Sequence, residues 1–295
     1  MKKIVIKSYA KLNLYLEVLN QRKDGYHNIY TLFERIDLAD TITLRCLPGK
    51  TIKINSNSQE IPHNQDNLAY KAALILQKSL HRKKGVEIFI KKQIPVGSGM
   101  GGGSSNAAST LLGLNKLWHL NLSRPQLVNF AQKLGSDVPF FVYDCPFALG
   151  QGRGEMVKPL KSLNSLKLWH LVAVPRIFVS TAKIYAGWDK AKKGPILRLT
   201  SAKSNVKILI LNLKKRDLLG VAHYLFNSLE KVTTRFYPGL VQAKRNLQNT
   251  GLQAAMMSGS GSAVFALCVS RKEALKARAK LQDRDQTLYF LTKTK

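Results

Sequence analysis

The run Pro95-Val96-Gly97-Ser98-Gly99-Met100-Gly101-Gly102-Gly103-Ser104-Ser105-Asn106-Ala107-Ala108 places five glycines in the seven positions from Gly97 to Gly103. Such a loop is built to hold a phosphate. Glycine turns the backbone with φ > 0 and lets main-chain N–H groups approach an anion without a Cβ between them. A helix beginning near Ser104 would add its unpaired N–H groups and its positive dipole end. Two common glycine motifs do not fit. A Walker A loop needs Gly-Lys-Ser/Thr at its end, where this chain has Ser104-Ser105-Asn106. Gly97, Gly99 and Gly102 match a bare G-x-G-x-x-G, but the nearest polar groups at the ribose distance are Gln126 and Asn129, and a dinucleotide fingerprint needs an acid there. The plain reading is a glycine-rich turn that binds nothing.

Three other places hold side chains that could do chemistry. From Ala10 to Val18 the residues alternate, with Ala10, Leu12, Leu14, Leu16 and Val18 on one strand face and Lys11, Asn13, Tyr15 and Glu17 on the other. The first face reads as core and the second as open to chemistry or simply solvated. Asp137, in Gly135-Ser136-Asp137-Val138-Pro139-Phe140-Phe141, is either a functional carboxylate or the cap of a turn starting at Val138-Pro139. Ser258-Gly259-Ser260-Gly261-Ser262 precedes the apolar run Ala263-Val264-Phe265-Ala266-Leu267, and by itself reads as a hairpin turn after Ala254–Met257.

These residues need elements to position them. Strands are predicted at 2–8, 10–19, 41–46 and 51–55, a helix near 67–81, a strand at 86–91 and helices after the glycine loop. One of those helices is bounded by Ser123, Pro125 and Gly135, with Leu127, Phe130, Ala131 and Leu134 on its apolar face. After Pro159-Leu160-Lys161-Ser162 come a strand at 168–174, helices at 181–191, 217–230, 236–249 and 272–282, and strands at 253–257, 263–269 and 286–291. The order lacks βαβ repetition, which argues for an α+β chain and against a doubly wound parallel sheet.

Taken together, Pro95 to Ala108, Ala10-Lys11-Leu12-Asn13-Leu14, Gly135 to Phe141 and Ser258 to Phe265 resemble, in the expected order, the signature segments of the GHMP small-molecule kinases. The resemblance implies a two-lobed α+β fold, residues 1–160 forming an amino-terminal lobe like ribosomal protein S5 domain 2 and residues 161–295 a carboxy-terminal lobe. It implies ATP as phosphoryl donor, held by Pro95 to Ser105, with Asn67 and Leu68 beside the adenine. Lys11 and Asp137 would be catalytic, Asp137 as the base facing an acceptor alcohol. Asn13 would orient the substrate together with Thr181, Gly259, Ser260 and Gly261. Magnesium would lie between phosphates, with Ser105 as its protein ligand. Asp24-Gly25-Tyr26-His27 after the first motif implies a CDP-linked sugar alcohol as acceptor. If Tyr26 and Tyr185 face each other, they could sandwich its pyrimidine while His27 reads the polar edge. Another acceptor, of the homoserine or mevalonate type, is the alternative within the family.

Composition bounds these readings. The 295 residues, 45% hydrophobic, suffice for one large or two medium domains. Cys46, Cys145 and Cys268 are odd in number and far apart, which argues against a disulfide framework or zinc site and fits a reducing cytosol. Lys7 and Lys11 break the amino-terminal apolar run before signal length, and no run approaches the ~20 residues of a membrane span, so a cytoplasmic protein, monomer or homodimer, is expected. The net charge is +30. That could signal nucleic-acid binding, the alternative from another class, but the basic runs are scattered and lack interleaved aromatics, which favours general attraction of anionic nucleotides instead.

Overall fold

A computed structural model of the protein describes residues 2–80, 84–191, 201–252, 254–281 and 286–295. In chain order the elements are β1 (Lys3–Gln21), β2 (His27–Leu47), β3 (Ile52–Ser56), α1 (Leu68–Ser79), β4 (Gly85–Lys91), α2 (Gly102–Leu117), α3 (Arg124–Leu134), α4 (Val138–Tyr143), β5 (Phe147–Gln151) and β6 (Met156–Pro159). They continue with β7 (Trp169–Val174), α5 (Thr181–Ala191), α6 (Ala202–Lys215), α7 (Leu218–Tyr224), β8 (Phe226–Asn227), α8 (Glu230–Phe236), α9 (Gly239–Asn249), β9 (Ala255–Met257), β10 (Val264–Cys268), α10 (Arg271–Lys280) and β11 (Leu288–Lys293). Arg82, Lys83, Lys192 and Lys193 of the basic runs lie outside the described residues, as does Gln253, where a strand start was expected.

Two sheets organise the chain. One has the order β3-β4-β2-β1-β8, with β5 paired to β2 and β6 to β5; the other has the order β11-β7-β10-β9. The strands expected at 2–8 and 10–19 are a single strand, β1, whose register against β2 shifts between Tyr9 and Ala10. A bulge there keeps the chain extended while re-aiming its side chains, which alternation alone does not distinguish from a break. The expected strand 41–46 is the end of the far longer β2. Beyond its pairing with β1, β2 carries β5 along Thr31–Glu34 and β4 along Thr41–Leu47. The charges Glu34, Arg35, Asp37 and Asp40 hid its first two thirds, because charged residues in a strand ordinarily signal solvent. Here Glu34 and Asp40 are fully buried.

The expected helix 217–230 stops after α7 at Tyr224, and α8 begins only at Glu230. Between them β8 adds a short parallel pairing to β1 at Tyr15 and Leu16, so the carboxy-terminal half supplies an edge of the first sheet. Helix α6 and strands β5 and β6 were not foreseen either. Where capping chemistry was explicit the prediction holds: α3 begins after Ser123, whose N–H donates to Gln126 Oε1 at 2.8 Å, and ends at Gly135.

Helices α1 to α4 cover one face of the first sheet, burying Ile42, Leu44 and Ile88 against Ala107, Leu111 and Phe140. A second core joins the two sheets, with Ala10, Leu12 and Leu14 of β1 packed among Val172, Val174 and Phe265. Full burial of such aliphatic side chains contributes about 1.5–3 kcal/mol each. A polar seam crosses the same junction: Glu34 Oε1 accepts from Thr294 Oγ1 at 2.5 Å and lies 2.9 Å from His170 Nε2.

Candidate active site

Backbone hydrogen bonds draw the three loop motifs together. The Lys11 N–H donates to Met100 O at 3.0 Å, and the Ala263 N–H donates to Ser98 O at 2.9 Å. Ser258 Oγ accepts from the Asn13 N–H and donates to Gly99 O, both at 3.3 Å. This closeness explains Gly99: its φ is +75°, and a Cβ there would lie 2.3 Å from Ser258 O. Gly101, with φ +70°, stands at the start of α2, so the free N–H groups of the helix's first turn open toward the loop.

Lys11 and Asn13 point to one side of β1, as the alternation requires. That side is not solvated, however: Lys11, Asn13, Tyr15 and Glu17 are all buried. Both faces of the strand are covered, because the glycine loop and the second lobe close over the polar one. Lys11 Nζ donates to Asn13 Oδ1 at 2.5 Å, and Asn13 Nδ2 donates to Thr31 Oγ1 at 2.8 Å. Asp137 Oδ2 lies 3.4 Å from Lys11 Nζ. Asp137 does precede α4, but its carboxylate makes no capping hydrogen bond, so the bland reading of it as a turn cap does not describe the molecule.

The cleft is a cavity of about 790 Å³. Gly99, Gly101, Ser104, Lys11, Asn13 and Asp137 line it, as do Tyr26, His27, Tyr185 and Asp189. Thr181, Gly259 and Ser260 also line it, and Thr181 Oγ1 is hydrogen-bonded to Ser260 Oγ at 2.8 Å, tying α5 to the third loop. The two tyrosines have separate companions. Tyr185 lies beside the His27 imidazole, ring centroids 5.0 Å apart, while Tyr26 lies under the Arg153 guanidinium at 4.8 Å. Burial first, and then the charge of Asp137, push the Tyr185 phenol up, so it stays protonated at any physiological pH.

Other predicted residues sit elsewhere. Ser105 does not reach the cleft: its hydroxyl accepts from Ser8 Oγ at 2.8 Å and lines a separate hollow with Arg35, Lys116 and Arg124. Ser105 is one residue on from Ser104, about 100° further round α2, which turns it away from the face that Ser104 presents, so the expected magnesium ligand does not line the cleft. Asn67 caps α1, Oδ1 accepting from the Ala69 N–H at 2.9 Å and Nδ2 donating to Pro62 O at 2.8 Å, which leaves its amide engaged within the fold. Leu68 comes within 3.8 Å of where a Cβ on Gly103 would stand. Pro95, Val96, Gly97, Ser98, Met100, Gly102, Gly103 and Gly261 shape the loops from outside the cavity lining; Met100 is wholly core.

Several residues of the site were not singled out from sequence. Asp189 Oδ1 lies 2.7 Å from His27 Nε2 and fixes that ring. Asn227 Nδ2 donates to Met257 O and Gly259 O at 2.8 Å each, holding the third loop. Asp40 accepts from the N–H groups of Gln93 and Ile94, from Asn106 Nδ2 and from Lys92 Nζ, anchoring both ends of the glycine loop. Among the described residues no cluster of three His, Cys, Asp or Glu side chains could hold a metal ion, and no helix is long and apolar enough to cross a membrane. The three cysteines are free.

Comparison with known proteins follows this geometry. Residues 67–145 match the family described as GHMP kinases N terminal domain, and residues 209–285 match GHMP kinases C terminal. The 4-diphosphocytidyl-2-C-methyl-D-erythritol kinase of Clostridioides difficile (strain 630) is 41% identical over 290 residues, spanning 98% of this chain and 94% of that protein. A crystal structure of 4-(cytidine 5'-diphospho)-2C-methyl-D-erythritol kinase superposes with a TM-score of 0.80 at 32% identity, covering 99% of this chain and 100% of the other. The fold also resembles that of L. major mevalonate kinase, solved in complex with R-mevalonate, with a TM-score of 0.78 at 18% identity, covering 99% of this chain and 97% of that one.

Proposed function

The chain belongs to the GHMP kinases, and we propose that it moves the γ-phosphoryl group of ATP onto the 2-hydroxyl of 4-diphosphocytidyl-2-C-methyl-D-erythritol, a step of isoprenoid precursor synthesis. The observation that carries this reading is the Lys11–Asp137 pair, 3.4 Å apart, in a cleft lined both by the glycine loop and by Tyr26, His27 and Tyr185. The cavity volume suits a nucleotide-sized acceptor.

The ATP phosphates rest on the backbone N–H groups of the glycine loop and the first turn of α2. The acceptor hydroxyl lies against Asp137, which takes its proton as the oxygen attacks the γ-phosphorus; the bond to the bridging oxygen breaks and ADP leaves. The transition state of phosphoryl transfer is loose, so placement and charge neutralisation outweigh base strength. Lys11 supplies the charge and is held in place by Asn13. Magnesium bound with the nucleotide would neutralise phosphate charge and would need only one or two protein oxygens, of which Ser104 at the cleft could offer one. Residues 1–160 bring Lys11, Asp137 and the glycine loop, and residues 161–295 bring Thr181, Tyr185 and the third loop.

ATP turnover measured on a panel of the CDP-linked alcohol, homoserine and mevalonate tests the assignment. Turnover confined to the first is the expected result, and a preference for either other alcohol would overturn it.

A further inference from the structure

We propose that Arg153 is the residue that holds the diphosphate of the acceptor, an inference that rests on the functional reading above. Charge isolates it. In a chain of net charge +30, the charged groups lining the cleft among the described residues are only Lys11 and Arg153 against Asp137 and Asp189. The cleft is therefore close to neutral, yet its substrate brings two ionised phosphoryl groups. Lys11 is already committed to Asp137 and Asn13. Arg153 is not committed to the same degree. Its Nε lies 3.7 Å from Glu155 Oε1, beyond hydrogen-bond reach, and that buried Nε has no hydrogen-bond partner. Glu155 spends its other oxygen on the Arg153 backbone N–H at 2.5 Å, which pins the turn; Nε itself is enclosed, so an anion in the cleft would be met by the outer Nη donors of the guanidinium.

Position gives the second argument. The neighbouring Gly154 lies against the catalytic carboxylate, since a Cβ on it would stand 3.8 Å from Asp137 Oδ1. The Arg153 guanidinium itself lies 4.8 Å from the centre of the Tyr26 ring. Arg153 thus stands next to a residue that touches the reacting carboxylate and itself lies on the aromatic ring of Tyr26. An acceptor with its hydroxyl at Asp137 and its base beside Tyr26 and His27 must lay its diphosphate along that interval. A planar guanidinium with several donors suits two adjacent phosphoryl groups, and its flat face can remain on the tyrosine.

Arg153→Gln and Arg153→Lys, assayed beside the wild-type protein, test the assignment. For Arg153→Gln the KM for the CDP-linked alcohol should rise about 10–100-fold, the range expected for losing a charged hydrogen bond, while the KM for ATP stays within about twofold; Arg153→Lys should recover part of the loss. Inhibition by CDP and by cytidine separates the two ends of the residue. Arg153→Gln should weaken CDP and leave cytidine unchanged. If cytidine weakens as much as CDP, Arg153 serves only to steady Tyr26, and the diphosphate assignment falls. It also falls if the acceptor KM does not move, or if the KM for ATP rises equally. Should the wild-type protein fail to phosphorylate the CDP-linked alcohol at all, the functional reading is what has failed.

Discussion

Asp137 faces a buried ammonium 3.4 Å away and makes no helix cap, so its carboxylate is free to meet an alcohol. Asp137→Asn keeps the shape and some hydrogen bonding but cannot take a proton; kcat should fall about 10²–10⁴-fold, the usual contribution of a positioned base, with the thermal midpoint nearly unchanged. A variant turning over at the wild-type rate would remove Asp137 from the chemistry. Asp189 acts through another residue, since its oxygen lies 2.7 Å from His27 Nε2 and decides how that ring is presented. In Asp189→Ala the imidazole loses this orientation. The KM for the acceptor should rise about fivefold, equivalent to a hydrogen bond worth ~1 kcal/mol, and the KM for ATP should not change. Equal effects on both substrates would make Asp189 a general structural support.

At the scale of elements, the glycine loop and the third loop form one unit, and Gly99 is where they meet. Gly99→Ala combines a positive φ with a Cβ 2.3 Å from a backbone oxygen, whereas Gly49→Ala has a similar φ of +69° and open space around it. Urea denaturation should show a loss of about 1 kcal/mol for Gly49→Ala, the conformational cost alone, and about 3 kcal/mol or more for Gly99→Ala, where overpacking is added. Similar losses in the two would mean the loops can separate without cost. Asp40 secures the same loop from below. Asp40→Ala would strand the buried Lys92 ammonium and free the Gln93 and Ile94 N–H groups, a loss of about 3–5 kcal/mol. Elements with local punctuation were legible in sequence: Ser123, Pro125 and Gly135 bound α3, and the glycines announce the start of α2. Those set by distant partners were not. The charges at Glu34 and Asp40 read as solvent until His170 and Lys92 are brought to them by the fold, and β8 exists as a strand only because β1 lies beside it. The site followed the same rule. Lys11, Asn13 and Asp137 stand in local patterns, whereas Arg153 and Asp189 gain meaning only from the rings they meet across the cleft.

The molecule as a whole carries a surplus of cations that its active cleft does not share, so the charge belongs to the outer surface, where it raises the local concentration of anions and is screened by salt. Titration at high pH instead reports on the interior. Burial pushes the Cys145 thiol up to about 11 and the Cys268 thiol up to about 12, from an ordinary value of 9.0. For an acid whose folded pKa is raised, the unfolded chain releases its proton first. The unfolded state then binds fewer protons, and stability declines with rising pH. The loss should be absent below about pH 8, begin near pH 9 and reach the order of 1 kcal/mol per buried thiol by pH 10, where tyrosines and lysines also begin to titrate, so the thiol part is read from the difference between the parent and its cysteine variants. Denaturant titrations at pH 8, 9 and 10 should therefore show a falling free energy of unfolding. Cys145→Ala and Cys268→Ala, although each lowers stability through the cavity it leaves, should each flatten that decline. Variants that decline as steeply as the parent would mean that neither thiol is kept neutral by burial, and the packing around β7 and β10, where Cys268 lies, would then be more open to water than its complete enclosure implies.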